Sequence, residues 1–364
     1  LVLSSCHTGK QITASGLQRK DFQTEVNGQH TDLFTLSNKQ GMEVCITNYG
    51  ARVVSILVPD RNGKREDVVC GFSTITEYME QRQNFGSTVG RYIGRILNAR
   101  FTLDGVEYKL VPNNGKSGHI SHGGNPGFAD RIWKVEQADT HRVRLSYLSP
   151  DGENGFPGNL KVTLVYSLGE DDNALDLTYE ATTDAPTVLN LSHHSFFNIS
   201  GNFTKSVEDQ QLWVDADRFT PYDDKKCVTG EYLQVAGTPL DFRMPHAIGE
   251  CIDADHPQLK VVNGYDHTWE LNTKGDDTRP AAWVYDPASG RKMEIFTTEP
   301  GMQIYTGNGL KGKMTGKRGI AYPFRSAVCF ETMHFQDSPN QPGFPSTVLR
   351  PGEVFRSHTV YKFE

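Results

Sequence analysis

Leu160-Lys161-Val162-Thr163-Leu164-Val165-Tyr166-Ser167-Leu168 runs into Gly169-Glu170-Asp171-Asp172-Asn173, after which Leu175, Leu177, Tyr179 and Ala181 recur at every second position. In the first run Leu160, Val162, Leu164, Tyr166 and Leu168 fall on one face while Lys161, Thr163 and Ser167 fall on the other, the period of two that an extended strand imposes. The polar link is turn chemistry, so the two runs read as antiparallel neighbours with one buried face. Upstream, Phe101-Thr102-Leu103 and Val106-Glu107-Tyr108 flank Asp104-Gly105, a dipeptide that supplies positive φ for a tight hairpin; Asn62-Gly63 follows Pro59-Asp60 in the same way. Helices are predicted to be short, as around Ser73 to Gln81, and no strand-helix alternation of parallel-sheet type is present. The predicted fold is all-β, a large antiparallel β-sandwich.

The chain of 364 residues is 37% hydrophobic and 22% charged, with 35 Gly and 18 Pro to punctuate many short elements, so a disordered chain is excluded. A net charge of −7 gives no broad positive field for phosphate backbones, and nucleic acid is not an expected partner. No composition shift divides residues 21–364, which read as one domain behind a polar tail over residues 1–20. Within that tail, Leu1-Val2-Leu3-Ser4-Ser5-Cys6 resembles the end of a bacterial lipoprotein signal. The corresponding expectation is an exported protein, periplasmic or lipid-anchored through Cys6, with contact to a membrane only through that anchor; the alternative is a cytoplasmic protein with a chance cysteine. Cys45, Cys70, Cys227, Cys251 and Cys329 are scattered without a CxxC pair, and most should be buried thiols.

Two histidine clusters stand out in segments that lack strong periodicity or are rich in small polar residues. One is His119-Ile120-Ser121-His122-Gly123-Gly124, the other Asn190-Leu191-Ser192-His193-His194-Ser195-Phe196-Phe197-Asn198. A zinc-type site built from His119, His122 and one of the pair is disfavoured, because adjacent residues of an extended segment point to opposite faces and no HExxH motif is present. Among acidic residues, Asp241 follows Gly237-Thr238-Pro239-Leu240 in a predicted loop, and Glu331 ends the apolar run Ala327-Val328-Cys329-Phe330. A carboxylate in such a run is either turned to solvent or buried with a raised pKa, and the second state suits a general base. Phe196, Phe197, Trp269 and Tyr305 offer faces for stacking on a sugar, against a plainer role in the core.

Taken together, the motifs resemble the galactose mutarotase family of aldose 1-epimerases from about Phe22 to the end. They are Asn48-Tyr49-Gly50-Ala51, Gly90-Arg91 with Arg95-Ile96, Ser121-His122-Gly123-Gly124, Gly152-Glu153-Asn154-Gly155-Phe156-Pro157-Gly158, His194-Ser195-Phe196-Phe197-Asn198, Gly237-Thr238-Pro239-Leu240-Asp241, Gly264-Tyr265-Asp266-His267, Pro300-Gly301-Met302-Gln303-Ile304-Tyr305 and Phe330-Glu331-Thr332. The resemblance implies a large β-sandwich that interconverts the α and β anomers of free aldohexoses such as galactose and glucose, acting as monomer or homodimer without metal or cofactor. It implies His194 as general acid, Glu331 as general base, and His122 as an assisting histidine near the ring oxygen. Arg95, Ser195, Asp241 and Gln303 would join His122 in holding the sugar. Two positions depart from the family pattern: Gly94 stands where many members have Asn, and Phe196 where many have Tyr, so an amide contact and a hydroxyl contact are missing.

Mutarotation needs one base for the C1 hydroxyl and one acid for the ring oxygen, and it transfers no electron or group. Such a pair is expected to work near neutral pH with Glu331 ionised and His194 protonated, each supported by the other's charge. A glycoside hydrolase would instead pair two carboxylates and release new reducing ends. A lectin-like module on the same sandwich would bind sugar without changing the rate of anomer exchange. A sugar-phosphate epimerase would call for a basic cluster that the chain does not display.

Overall fold

The computed structural model describes residues 11–364, so the expectation for Cys6 lies outside the described residues. The run that decides the fold is a strand, Leu160–Leu168, paired antiparallel with Ala174–Thr183 from Leu160↔Thr183 to Leu168↔Leu175. Its burial alternates as the sequence pattern requires, with Leu160, Val162, Leu164, Tyr166 and Leu168 buried. These two strands sit inside a nine-stranded antiparallel sheet, ordered Lys134–Ala138, Arg142–Ser149, Leu160–Leu168, Ala174–Thr183, Phe355–Phe363, Lys292–Thr297, Ala282–Tyr285, Gln211–Val214 and His246–Ala247. A six-stranded sheet faces it, ordered Phe196–Phe197, Val328–Met333, Gly301–Tyr305, Asp266–Glu270, Arg218–Thr220 and Leu233–Gln234. A four-stranded sheet of residues 33–37, 43–47, 52–59 and 65–67 extends the stack.

One hydrophobic cluster joins the three sheets: Leu164, Leu177 and Tyr361 from the first, Met302, Ile304 and Phe330 from the second, Val53 and Ile56 from the third. Burying each such aliphatic side chain contributes about 1.5–3 kcal/mol, and Leu164→Ala would cost about 2–5 kcal/mol through the cavity left behind. Polar clamps fix the two larger sheets against each other. The Tyr361 hydroxyl donates to the Phe330 carbonyl oxygen at 2.9 Å, and the Thr332 and Thr359 hydroxyls meet at 2.7 Å.

The Asp104-Gly105 hairpin forms as predicted, with φ of 52° and 79° between strands Arg100–Leu103 and Val106–Lys109. The predicted short helix is Ile75–Gln81, begun by a capping box in which Thr74 accepts from the Glu77 amide. Among the described residues, no helix is long and apolar enough to cross a membrane, and the thiols of Cys45, Cys70 and Cys329 are buried and free. Part of the segment with tail-like composition is docked on the body. Thr13 and Leu17 are buried, and the amides of Ala14 and Ser15 donate to the Glu43 carboxylate at 3.0 and 3.1 Å, so the folded body already includes this segment. Its polar letters conceal this because most of the docking contacts are hydrogen bonds, from the Ala14 and Ser15 amides and from the Ser15 hydroxyl to Ser55 at 3.0 Å.

Candidate active site

Strands Val328–Met333 and Gly301–Tyr305 place Gln303 directly opposite Glu331, and the next strand places Thr268 opposite Gln303 and Asp266 opposite Tyr305. Alternation sends Phe330, Ile304 and Met302 into the sandwich core. On the other face Glu331, Gln303 and Asp266 line a cavity of about 270 Å³, together with Arg95, His122, His194, Phe196, Tyr222, Tyr305, Met333 and Gln336. Glu331 can thus end an apolar run and still meet a polar space: the run is buried on both faces, by hydrocarbon on one and by the cavity on the other.

His194 reaches the cavity from strand Ser192–His194, which pairs with Ser87–Val89. Its Nε2 lies 3.5 Å from Glu331 Oε1, and Cys329 Sγ lies 3.7 Å from its Nδ1. Both partners are buried. Burial pushes the Glu331 carboxyl well above its ordinary range, aided by the nearby charge of Asp266. Burial likewise pushes the His194 imidazole well below its ordinary range, aided by His122. Desolvation thus biases both groups toward their neutral forms, against the ionised Glu331 and protonated His194 expected from mutual attraction.

His122 stands edge-on to His194, ring centroids 5.4 Å apart. Its Nδ1 accepts from the Gly94 amide at 3.3 Å, so the neutral ring carries its proton on Nε2. Burial, with Arg95 nearby, depresses His122 to about 4. Across the cavity runs a polar wall. Gln303 Nε2 donates to Asp266 Oδ1 at 2.7 Å and to the Tyr222 hydroxyl at 3.3 Å, and its Oε1 accepts from the Thr268 hydroxyl at 2.5 Å. Arg52 supports the rim from behind, donating to the carbonyl oxygens of Gln83, Phe85 and Ala129 at 2.8, 3.0 and 2.8 Å.

A family model described as Aldose 1-epimerase matches residues 32–362. A galactose mutarotase of Bos taurus is 40% identical over 331 residues, which span 91% of this chain and 93% of that protein. The chain belongs to the aldose 1-epimerase family. An aldose 1-epimerase of Escherichia coli (strain K12) is 36% identical over 340 residues, 93% of this chain and 96% of that one. Among solved structures, an aldose epimerase homologue from C. elegans matches with a TM-score of 0.84 at 31% identity, covering 92% of this chain and 99% of that chain. A galactose 1-epimerase from Lactobacillus acidophilus NCFM matches with a TM-score of 0.81 at 28% identity, covering 94% and 96%. The fold is the antiparallel sandwich of the galactose mutarotase type.

Set against that aldose 1-epimerase pattern, the cavity brings together five of the seven residues the sequence singled out: His194, Glu331, His122, Arg95 and Gln303. Two lie elsewhere. Asp241 does not line the cavity; its carboxylate is held by Arg243, whose Nε and Nη2 each donate to it at 2.9 Å. The Gly237–Asp241 segment packs behind the wall, where Pro239 and Leu240 carbonyl oxygens accept from the Tyr265 hydroxyl and the Trp269 indole at 2.7 and 3.0 Å. Ser195 points to the other side of its strand, 2.5 Å from His193 Nε2 and buried. His119 meets Cys227 Sγ at 3.3 Å and does not converge with His122 on a shared ion position. Phe196 and Tyr305 border the cavity, while Phe197 and Trp269 belong to the core.

The sequence reading did not assign Asp266, Tyr222 or Gln336, all of which line the cavity. Asp266 had a signal, since it alternates with His267 and so faces away from the core that Trp269 enters. Tyr222 and Gln336 had none, because each arrives on a loop without periodicity.

Proposed function

We propose that this cavity opens and recloses the ring of a free aldohexose such as galactose or glucose, with Glu331 and His194 exchanging the protons. The observation that carries it is the separation of 3.5 Å between Glu331 Oε1 and His194 Nε2 at the buried side of a polar cavity. The C1 hydroxyl and the ring oxygen are bonded to the same carbon, so a base and an acid serving them must stand side by side. In ring opening Glu331 takes the C1 hydroxyl proton, His194 gives its proton to the ring oxygen, and the C1–O bond breaks to leave an aldehyde. C1 turns about its bond to C2, and the same two transfers in reverse close the ring on the other face.

The pair holds one proton at every stage. It lies on His194 before opening and on Glu331 afterwards, and burial pushes both groups toward the second arrangement. A bound sugar stabilises the first, because its C1 hydroxyl donates to the carboxylate while its ring oxygen accepts from the imidazolium. His122 Nε2–H, Arg95, Gln303 and Asp266 would hold the remaining hydroxyls, so that binding energy orients C1.

Polarimetry on freshly dissolved α-galactose, corrected for spontaneous mutarotation, tests the assignment. Faster decay toward equilibrium with no new reducing ends is expected. Binding without acceleration for any free aldose would replace the enzyme by a sugar-binding module. The Leu3-Ser4-Ser5-Cys6 pattern supports an exported, lipid-anchored location for this activity. Mass spectrometry of membrane fractions should find acylated Cys6, and native protein in the cytoplasm with an unmodified Cys6 would overturn that location.

A further inference from the structure

Gly94 lies between Ile93 and the sugar-wall residue Arg95, at a φ of 76°, and it has no room for a side chain. A Cβ built there would stand 2.5 Å from Gln336 Cγ, 3.0 Å from its Cδ and 3.2 Å from its Oε1. The space beside residue 94 is filled by the Gln336 side chain, which arrives on the loop that follows strand Val328–Met333. Gln336 is 5% exposed and lines the cavity. Its Nε2 donates to the Tyr222 hydroxyl at 2.8 Å and lies 3.4 Å from Gln303 Oε1, and its Oε1 accepts from the Arg95 amide at 3.2 Å. An amide oxygen accepts two hydrogen bonds, and only one acceptor site of Gln336 Oε1 is taken by these contacts.

Resting on the reading of the cavity as a mutarotase site, we propose that Gln336 is a sugar-contacting, specificity-determining residue: its Oε1 accepts a hydrogen bond from one ring hydroxyl other than that on C1, and Gly94 is glycine because this amide occupies its side-chain space. Tyr222 belongs to the same device. Its oxygen receives protons from both Gln303 and Gln336, which leaves the phenol's own proton free to be donated to the sugar. The geometry is that of a wall which recognises hydroxyls by position, and such walls discriminate strongly against ligands that lack the matching group.

The test compares galactose with its 2-deoxy, 3-deoxy, 4-deoxy and 6-deoxy forms in wild type, Gln336→Met and Gly94→Ala, read by polarimetry. Gln336→Met keeps the volume and removes the amide, while Gly94→Ala keeps the amide and drives it from its place. Melting curves and circular dichroism verify that both fold. Each variant should lose about tenfold in kcat/KM for galactose, mostly through KM, with an unchanged pH profile. For one deoxy sugar, the same in both variants, the loss should shrink to within about twofold, because the hydroxyl that Gln336 meets is already gone. A loss of equal size for every sugar would reduce Gln336 to a structural prop and overturn the proposal, as would no loss at all. If only Gly94→Ala behaves like wild type, the reason given for the glycine falls. A wild type that fails to accelerate galactose mutarotation would defeat the functional reading itself, an outcome distinct from all of these.

Discussion

Two Glu–His pairs meet at strand Val328–Met333 of the six-stranded sheet, one within it with His194 arriving from a separate two-stranded sheet and one just past its end, and their imidazoles are shifted in opposite directions. Beside the end of strand Val328–Met333, His334 Nδ1 meets Glu299 Oε2 at 2.6 Å; within the strand, Glu331 faces His194 at 3.5 Å. Burial alone would depress His334, but the charge and hydrogen bond of Glu299 override it and raise that imidazole. At the longer distance burial wins, and Glu331 and His194 are each driven toward their neutral forms. The first pair is closed by its own short hydrogen bond. The second is held apart, with hydrogen-bonding capacity that only a guest in the cavity can complete. We read proximity as the mark of a structural pair and a gap as the mark of a pair open to a ligand.

The sharpest way to break that contrast is to remove one carboxylate from each pair. Glu331→Gln should lower turnover by about 10² to 10⁴, the range of a general acid–base group, and His194→Gln by a similar factor. Because the two share one proton, the double variant should be little worse than the poorer single one. Glu299→Gln should keep turnover within about twofold, yet lose about 1.5–3 kcal/mol of stability with its charge-assisted hydrogen bond. The stability of Glu331→Gln should move the other way. A carboxyl whose folded pKa lies above its unfolded one destabilises the fold at every pH above the unfolded value. The glutamine should therefore raise the melting temperature at neutral pH, and the gain should fade as pH drops into the ordinary carboxylate range. Inactive Glu299→Gln together with active Glu331→Gln would invert the comparison.

The pairs should also part company in pH. Mutarotation should run on a plateau across neutral pH, because the working pair keeps its single proton from the depressed range of His194 up to the raised range of Glu331. The acid limb is then the gain of a second proton by the pair, displaced below the ordinary histidine value, and the alkaline limb the loss of its only one, displaced above the ordinary glutamate value. For the structural pair, His334 is raised in the fold. Its contribution is fully present below the unfolded histidine value and is lost as pH rises through the folded one. The stability gap between wild type and Glu299→Gln should accordingly narrow on the alkaline side, as chemical denaturation across pH would record. A single narrow activity optimum on an ordinary histidine titration would show that the working pair is not coupled in this way.

Asp266 sharpens the rule from a third position. It is half-buried beside the cavity with its carboxyl raised by desolvation, and Gln303 gives it one hydrogen bond at 2.7 Å. Capacity remains, so Asp266→Asn should lower kcat/KM by about ten- to a hundredfold, the effect of losing a hydrogen bond to a charged group, with KM carrying most of it.

Where the sequence could be read, and where it could not, follows from how each residue is placed. Strands announce themselves by local alternation, so the sandwich, the Asp104-Gly105 hairpin and the helix at Ile75–Gln81 were all legible. Glu331 was legible as a charge in an apolar run. Ser195 was misassigned because it follows His194 in a motif, whereas a strand turns successive side chains to opposite faces, and Ser195 goes with His193. The loss of an amide at Gly94 was visible, but its replacement by Gln336 was not, since the two meet only in the fold, as the contact between Arg95 and Gln336 across 241 positions illustrates. The polar segment near Thr13 looked like tail because hydrogen bonds from its amides and from the Ser15 hydroxyl leave no apolar pattern in the sequence.

Asp241 is the smallest effect expected and the cleanest check on the rule. Its place after a Gly-Thr-Pro turn made it a candidate for gripping sugar hydroxyls, which would put the cost of Asp241→Ala at about ten- to a hundredfold. The fold gives it a different partner. Both carboxylate oxygens are taken by Arg243, whose charge and hydrogen bonds hold Asp241 below its usual carboxylate range. Arg243 also reaches Asp217, so this is a partly exposed ion-pair cluster of the kind that contributes about 0–1 kcal/mol. Like Glu299, Asp241 is a carboxylate already answered. Asp241→Ala should therefore leave kcat/KM for galactose within about twofold of wild type and shift stability only slightly, while Asp266→Asn measured beside it shows the larger loss. Should Asp241→Ala prove the more damaging of the two, a satisfied carboxylate would have turned out to bind substrate, and the distinction drawn from the two Glu–His pairs would no longer separate sites from supports.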